Sequence, residues 1–518
     1  MLLHEVVVDA ARSHPGRTAL VHDGRRLTFA DLAGRLAAGA RVVRGLAPAG
    51  ACVAAIGPNH PTWVELQHVV PAAGRVLAFL NHRLSGPELA TLVARSRAHA
   101  VIGDPDQLER LRLAGVSVPL VSWSGWDAAV AAAPSDPVGP VDPVDPSGTG
   151  PADPGQVAWL LFTSGTTAAP KGAMLTHGSI LAAVAASTAA RPVEPDDVYL
   201  FPFPLCHVAA YNVVHRHAHG RPVVLVDRFD PASFCTAVAA ERVRSTSLAA
   251  TMLASLLDHV EADPSALEQL ATLRSVAYGA APMAPSLLRR ADRVLGVDLA
   301  QGYGMTELSG NAVFLDAAAH RRGLAGEEHL LRAAGRPAPG VEVRVADEDD
   351  HPVADGEVGE ILVRAPQVMA GYWDDPDATE QALRGGWLHT GDLGRIDADG
   401  LLHVVDRSKD VIITGGENVS SLEVEDVLLA VPGVSRVAVV AVPDPAWGEN
   451  VCAVVVPGPQ GVDPDELVAS ARVRLAGFKV PRHVVVVDEL PVNAAGKVVK
   501  AELRAWLADR PELLGPRR

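Results

Sequence analysis

Residues 157–172 read VAWLLFTSGTTAAPKG, and the parsing of this stretch decides the fold. Val157 to Phe162 is a short apolar run with the length and residue types of a buried strand. At Thr163 the character changes. Thr163, Ser164, Thr166 and Thr167 carry hydroxyls, Gly165 and Gly172 permit close backbone approach, and Lys171 adds a positive charge. Such a loop suits the phosphates of a nucleotide, wrapped by backbone amides and hydroxyls. It is not a Walker A loop, because after Gly165 and four further residues the chain has Pro170 and Lys171 where that motif requires Gly, Lys and then Ser or Thr. A helical pattern over Ser179 to Ala190 follows, so the stretch reads as strand, loop and helix.

Outward from this stretch the same alternation holds. The first 130 or so residues alternate a helical stretch (Thr28 to Val43) with short apolar runs (Ala51 to Ile56, His99 to Ile102), which predicts an α/β fold with a parallel sheet covered by helices. Residues 134–155 are rich in Pro, Asp, Gly and Ser and poor in apolar side chains, and read as a mobile surface linker. Further strands are expected at Val223 to Val226, Ser275 to Tyr278 and Leu299 to Gln301. From about Val341 the runs VEVRVAD, GEILVRA and LLHVVD, separated by Gly and Asp turns, predict a small β-barrel or meander ending near Val405. The last hundred or so residues carry helices at Ser421 to Ala430 and Pro464 to Ala476 and strands at Val437 to Val442, Val451 to Val456 and Val484 to Val487, a small α+β unit able to fold by itself.

Composition narrows the class. At about 150 residues per domain, a chain of 518 residues divides into two to four compact units. Hydrophobic residues make up 48% and charged residues 20%, as in a folded globular protein. Lys plus Arg number 45 against 61 Asp plus Glu, and the net charge of −16 repels phosphate backbones and anionic lipid, so no nucleic-acid partner is expected. Cys52, Cys206, Cys235 and Cys452 are far apart and form no CxxC pair, which suits a reducing cytoplasm. The N-terminus lacks a signal-peptide pattern, and no run of about 18 apolar residues predicts a membrane span.

Four later segments stand in order behind the first: QGYGMTE (Gln301 to Glu307), WLHTGD (Trp387 to Asp392), DRSKDVIITGGENV (Asp406 to Val419) and NAAGKVVK (Asn493 to Lys500). With LFTSGTTAAPKG they resemble the adenylate-forming superfamily of acyl-CoA ligases, adenylation domains and firefly luciferase, with the acyl-CoA ligases closest, over nearly the whole chain. The resemblance implies a large N-terminal domain of stacked α/β subdomains and a β-barrel-like subdomain (1–405), a hinge (406–410) with Lys409 at its pivot, and a small mobile C-terminal α+β domain (411–518). It implies ATP, Mg²⁺ and CoA as cofactors, a small-molecule carboxylic acid as substrate, and a monomer or homodimer.

The resemblance also implies roles. Tyr303 flanks adenine, Thr306 meets the α-phosphate, and Glu307 holds Mg²⁺ against phosphate oxygens. Asp392 accepts from the ribose hydroxyls with Arg407 as a second contact. Lys497 is the expected catalytic ammonium, because carboxylate attack on the α-phosphate brings two anions together and a cation can bridge them; Lys500 is its obvious decoy. Gly415 and Gly416 form a narrow channel for the pantetheine arm, Trp447 packs on CoA, and Lys479 and Arg482 meet its phosphates. The family usually has glycine where this chain has Ala168, which bears on the ATP half-reaction.

For the acid, His207 matches a gating ring beside the reacting carboxylate, and the small residues Ala209, Ala210, Gly279, Ala280 and Ala281 are expected to line the cavity. A wall of alanine and glycine leaves room for a bulky hydrophobic acid. No arginine stands there to hold a second carboxylate, and no aspartate in FPLCHVAA pairs with an α-ammonium as in amino-acid-activating relatives. Three rivals stay open: transfer to a carrier-protein phosphopantetheine, a variant performing one half-reaction with a partner enzyme, and a silent nucleotide-binding scaffold. His215, His217 and His219 have a spacing that places all three on one face of a strand or two on one face of a helix, so metal binding is an open alternative to packing.

Overall fold

The computed structural model describes residues 1–133, 153–163, 170–279, 283–445, 447–492 and 498–514. Two large sheets form the body. In the first, the order runs 336–337, 310–315, 298–305, 275–279, 245–248, 199–201, 223–225, 18–22, 25–28. Its six strands from 298–305 to 18–22 are parallel, and antiparallel strands close both edges. In the second, five parallel strands in the order 120–122, 98–103, 52–56, 76–80, 157–163 are closed by an antiparallel strand, Lys171–Thr176. The mixed α/β reading holds, with the parallel strands covered by helices.

Local chemistry explains why these segments take these forms. Strands Cys52–Ile56 and Val76–Leu80 are buried at every position, as parallel strands covered on both faces must be. Helix Pro61–Ala72 is buried almost all round, and Trp63, Trp126, Trp159, Phe29 and Tyr211 pack into the same central core. Thr28 caps the helix Phe29–Leu46 by accepting from the Asp31 amide, and Thr176 does the same for His177–Ala190 through Ser179. Helices and strands fall within a few residues of the expected ranges. The strand Lys171–Thr176 does not appear in the sequence reading, because KGAMLT is short and lies where the loop pattern dominates.

Residues 342–407 form a four-stranded antiparallel meander, Glu342–Ala346, Gly359–Arg364, Leu388–Ile396, Leu402–Arg407. Its last strand continues to Arg407, so the first two residues of the expected hinge segment belong to the sheet, and Ser408–Asp410 form a short 3₁₀ turn. Beyond it, Gly448–Pro457 pairs with Val434–Asp444 and with His483–Val486, and the helices Ser421–Leu429 and Pro464–Arg474 pack over a separate apolar cluster. The expected linker 134–155 lies almost wholly outside the described residues. Among the described residues no helix is long and apolar enough to cross a membrane.

Candidate active site

In open parallel sheets the strand C-termini form the crevice where ligands bind. Here Thr163, Gly279 and Met305 all end parallel strands. Thr163 pairs with Lys171 across the hairpin, and Thr163 Oγ1 donates to the Lys171 carbonyl at 3.4 Å. Ser164, Gly165, Thr166 and Thr167, and with them Ala168, lie outside the described residues. Next to Lys171, Gly172 has no room for a side chain: a Cβ there would lie 2.8 Å from Leu160 Cδ1 and 3.4 Å from Trp373 Cβ.

The reason is a second neighbour. Residues 370–373 lie alongside Lys171–Thr176, with the Met174 amide donating to the Gly371 carbonyl (2.9 Å), the Ala370 amide to the Met174 carbonyl (2.9 Å) and the Trp373 amide to the Gly172 carbonyl (2.8 Å). This brings Tyr372 between two expected site residues. The Lys171 ammonium sits 5.1 Å from the Tyr372 ring centroid, and the Tyr372 hydroxyl donates to Glu307 Oε1 at 3.0 Å. Tyr372 is a candidate site residue that the sequence reading missed. Its only local signal is an aromatic after a glycine in irregular chain, and its neighbours come from distant segments.

Glu307 lies in the 3₁₀ turn Thr306–Leu308 that Thr306 opens, and is 6% exposed. Burial raises its carboxyl above the ordinary glutamate range, against the pull of the Tyr372 hydrogen bond and the Arg407 charge. A divalent cation would relieve that desolvation. One oxygen is engaged by Tyr372, and a hard cation that keeps most of its waters needs only one or two protein carboxylates, so the site fits Mg²⁺.

Asp392 stands opposite Arg407 in the register of the meander. Its Oδ2 accepts from the Tyr303 hydroxyl at 2.9 Å and its Oδ1 pairs with Arg407 Nε at 3.0 Å. The Asp392 amide donates to Thr390 Oγ1 at 3.1 Å, and Thr390 Oγ1 donates to the Ile361 carbonyl at 2.7 Å, which fixes the turn. A carboxylate offers about four lone-pair positions, so two remain for the vicinal hydroxyls of a ribose. Burial first, and the Asp392 charge next, hold the Tyr303 hydroxyl far above its ordinary pKa, so it stays a donor.

On the acid side His207 precedes the 3₁₀ turn Val208–Ala210 and is half-buried. Ala209 keeps partial exposure, but Ala210 has none and packs in the central core, against the expectation that it lines the acid cavity. Gly279 is where a Cβ would fall 2.4 Å from the Gly302 carbonyl, which explains the missing side chain. Ala280 and Ala281 lie outside the described residues.

The residues expected to meet CoA divide. Gly415, at φ +61°, donates its amide to the Trp447 carbonyl at 2.8 Å, and a Cβ there would lie 2.5 Å from Trp447 Cε3. Arg482 stacks 4.4 Å over the Trp447 ring, which is 40% exposed. Gly416 has open space around it. Lys479 is drawn away from this group into a pair with Glu423 at 2.7 Å. Lys409 is exposed on its turn. Lys497 lies outside the described residues, whereas Lys500 is half-buried and held in an ion pair with Glu425 at 2.7 Å, a structural partner.

The histidine cluster is packing. His215 and His217 are fully buried on helix Tyr211–Ala218; His217 Nε2 donates to the Ala19 carbonyl at 3.0 Å, His215 Nδ1 accepts from Arg216 at 2.9 Å, and His219 Nε2 meets Thr188 Oγ1 at 3.0 Å. Among the described residues the group of possible metal donors is His22, Asp23 and Asp227, elsewhere.

The chain matches the AMP-binding enzyme family over residues 7–373 and the AMP-binding enzyme C-terminal domain over 423–497. It is 40% identical to a feruloyl-CoA synthase of Amycolatopsis sp over 96% of this chain and 97% of that one. Among solved structures it resembles the amide bond synthetase McbA from Marinactinospora thermotolerans (TM-score 0.87, 34% identity, 98% and 99% of the two chains). It also resembles the o-succinylbenzoate CoA synthetase of Bacillus subtilis in complex with its acyl-adenylate intermediate (TM-score 0.83, 28% identity, 96% and 97%). The chain therefore belongs to the AMP-binding enzyme family, within the adenylate-forming superfamily, with acyl-CoA ligases among its relatives.

Proposed function

We propose that this acid–thiol ligase activates a bulky, hydrophobic carboxylic acid bearing an aromatic ring, first as the acyl adenylate and then as the CoA thioester. The observation that carries the first step is Asp392, held from both sides by Tyr303 and Arg407 with lone pairs left over for a ribose. A carboxylate oxygen of the acid attacks the α-phosphorus of ATP, pyrophosphate leaves, and the sulfur of CoA then attacks the acyl carbon, releasing AMP. Lys171 and the hydroxyl loop bind the phosphates, Thr306 meets the α-phosphate, and Glu307 would hold Mg²⁺, which would supply charge neutralisation at the phosphates. Lys497 bridges the two anions as they approach.

The small residues around His207, Ala209 and Gly279 support a bulky acid, and so does the feruloyl-CoA synthase relative. Trp447, Gly415 and Arg482 support a nucleotide-bearing thiol, with Lys479 in reserve only if its pair with Glu423 opens. The division into residues 1–405, a hinge over 406–410 and residues 411–518 belongs to the same proposal, with Lys409 as the pivot between half-reactions. One observation favours a second reading, the likeness to an amide bond synthetase over 98% of the chain: the adenylate would then pass to an amine.

The test is mass spectrometry of reactions holding the protein, ATP, Mg²⁺ and a panel of hydroxycinnamic, indolic and aliphatic acids, each with CoA, pantetheine or a simple amine. Aryl acyl-CoA is expected, with pantetheine a much poorer acceptor. Amide from the amine with no thioester would establish the second reading, and turnover of straight-chain acids alone would refute the aromatic acid.

A further inference from the structure

The amino ends of three parallel strands, Thr18–His22, Tyr199–Phe201 and Val223–Leu225, border a cleft of about 290 Å³. It lies at the opposite end of the first sheet from Met305 and Glu307, which stand where a parallel strand finishes. Arg17, Arg26 and Arg221 line it together with Asp196, Asp197 and Glu241.

All three carboxylates are already taken. Asp197, 5% exposed, pairs with the buried Arg216 at 3.0 Å, Asp196 with Arg244 at 2.5 Å, and Glu241 with Arg26 at 2.5 Å. Arg17 and Arg221 are left over. Arg17 donates to the Gly220 carbonyl at 3.0 Å, and Arg221 Nε is buried without an acceptor. Among the described residues no carboxylate comes within ion-pair distance of either guanidinium. Burial first, and the Arg17 charge next, lower the Arg221 pKa, and the opposing pull of Asp197 and Asp196 does not cancel them.

The chain itself brings the two arginines together. Past helix Tyr211–Ala218 the backbone turns at Gly220 with φ +60°, where a Cβ would lie 2.5 Å from His14 Cδ2, and the Arg221 amide donates to the Arg216 carbonyl at 2.9 Å. Past helix Leu3–Ser13 the Arg17 amide donates to the His14 carbonyl at 3.1 Å. Both arginines thus leave from hydrogen-bonded turns packed on one another. Two like charges side by side, each without a counter-charge, are stabilised by an anion lying between them.

We propose that this cleft is an oxyanion site that takes a phosphate-class dianion between Arg17 and Arg221. The planar fork of each guanidinium matches the oxygens of a tetrahedral anion. In a chain of net charge −16 the unneutralised pair is a local exception, and its place at the amino ends of the strands keeps it apart from the nucleotide-phosphate loop based at Thr163 and Lys171. Inorganic phosphate, pyrophosphate and a phosphomonoester share the chemistry the cleft recognises.

The experiment is isothermal titration calorimetry with orthophosphate, pyrophosphate or ribose 5-phosphate, at ionic strength matched with sodium chloride. The proteins are the parent, Lys171→Ala, Arg17→Gln, Arg221→Gln and Arg221→Lys, each checked for folding by circular dichroism. One anion per chain is expected to bind in the parent and in Lys171→Ala. Kd should rise at least about tenfold in Arg17→Gln and in Arg221→Gln, with Arg221→Lys between them and the parent because a point charge replaces the fork. The tightest of the three anions names the source, inorganic or esterified. Three results overturn the site: no heat beyond the chloride blank with any anion, an unchanged Kd in both glutamine variants, or binding lost in Lys171→Ala and kept in the arginine variants, which assigns it to the loop. If Arg221→Gln does not fold, Arg17→Gln decides by the same comparison.

Discussion

Lowering the pH from 7.5 to 5.0 is expected to strip several kcal/mol of stability from this protein through three buried histidines. His68 and His177 are held down to about 3 and His217 to about 4, by burial first and, for His68 and His177, by neighbouring histidines next. Each is neutral in the fold and titrates at about 6.5 when unfolded. A folded pKa below the unfolded one gives stability that is complete above pH 6.5 and is lost as the pH falls toward 3 or 4. At pH 5, 1.5 units below the unfolded value, each group has given up about 2 kcal/mol, so the three together give up about 6. That is comparable with the whole stability of an ordinary domain.

The mechanism is visible at Leu3: His177 Nδ1 accepts its amide at 3.1 Å, and His68 Nδ1 donates to its carbonyl at 3.0 Å. A protonated His177 can no longer accept. Burial shifts Glu307, Glu425 and Asp426 upward, which works in the opposite direction as the pH falls. His177→Gln isolates the histidine effect, because the amide oxygen can still accept from Leu3 and nothing titrates. The assay is urea unfolding of parent and variant at pH 7.5, 6.5, 5.5 and 5.0, followed by circular dichroism. The variant should lose about 2 kcal/mol less than the parent over this range. Identical pH profiles for the two proteins would refute the reasoning.

Two further outcomes concern the site. Tyr372→Phe removes a hydrogen bond to a buried carboxylate, worth about 1.5–3 kcal/mol, and is expected to slow pyrophosphate exchange at least tenfold and to change the Mg²⁺ requirement; an unchanged Mg²⁺ titration would separate Tyr372 from the cation site. Trp447→Ala is expected to raise the CoA requirement roughly tenfold by removing the face on which Arg482 stacks, while pyrophosphate release stays as it was. An unchanged CoA titration would remove Trp447 from the thiol site.

What the sequence made legible is what is local. Strand, loop and helix around Val157 to Ala190 follow from side-chain type and spacing, and Asp392 and Arg407 became paired candidates because each sits in a recognisable motif. Tyr372 was not legible, since its partners Lys171 and Glu307 lie some 200 and 65 residues away and meet it only after the chain has crossed back over the sheet. Nor could spacing show that Lys500 has partners of its own, Glu425 and Ser421, both far from it in sequence. For His215, His217 and His219 spacing left metal binding open beside packing, and the Ala19 carbonyl, Arg216 and Thr188 are the partners that decide for packing.

The backbone of Lys171–Thr176 is the outer rim of its sheet until residues 370–373 arrive to cover it. At a synthesis rate of about 10 residues per second, those covering residues emerge roughly 20 s after the rim does. During that interval a newly made chain carries an open β-edge holding Ala173, Met174 and Leu175, the kind of surface that recruits another strand. Yield in a heterologous host should accordingly depend on translation speed and chaperone supply between these two points, more than on the stability of the finished enzyme.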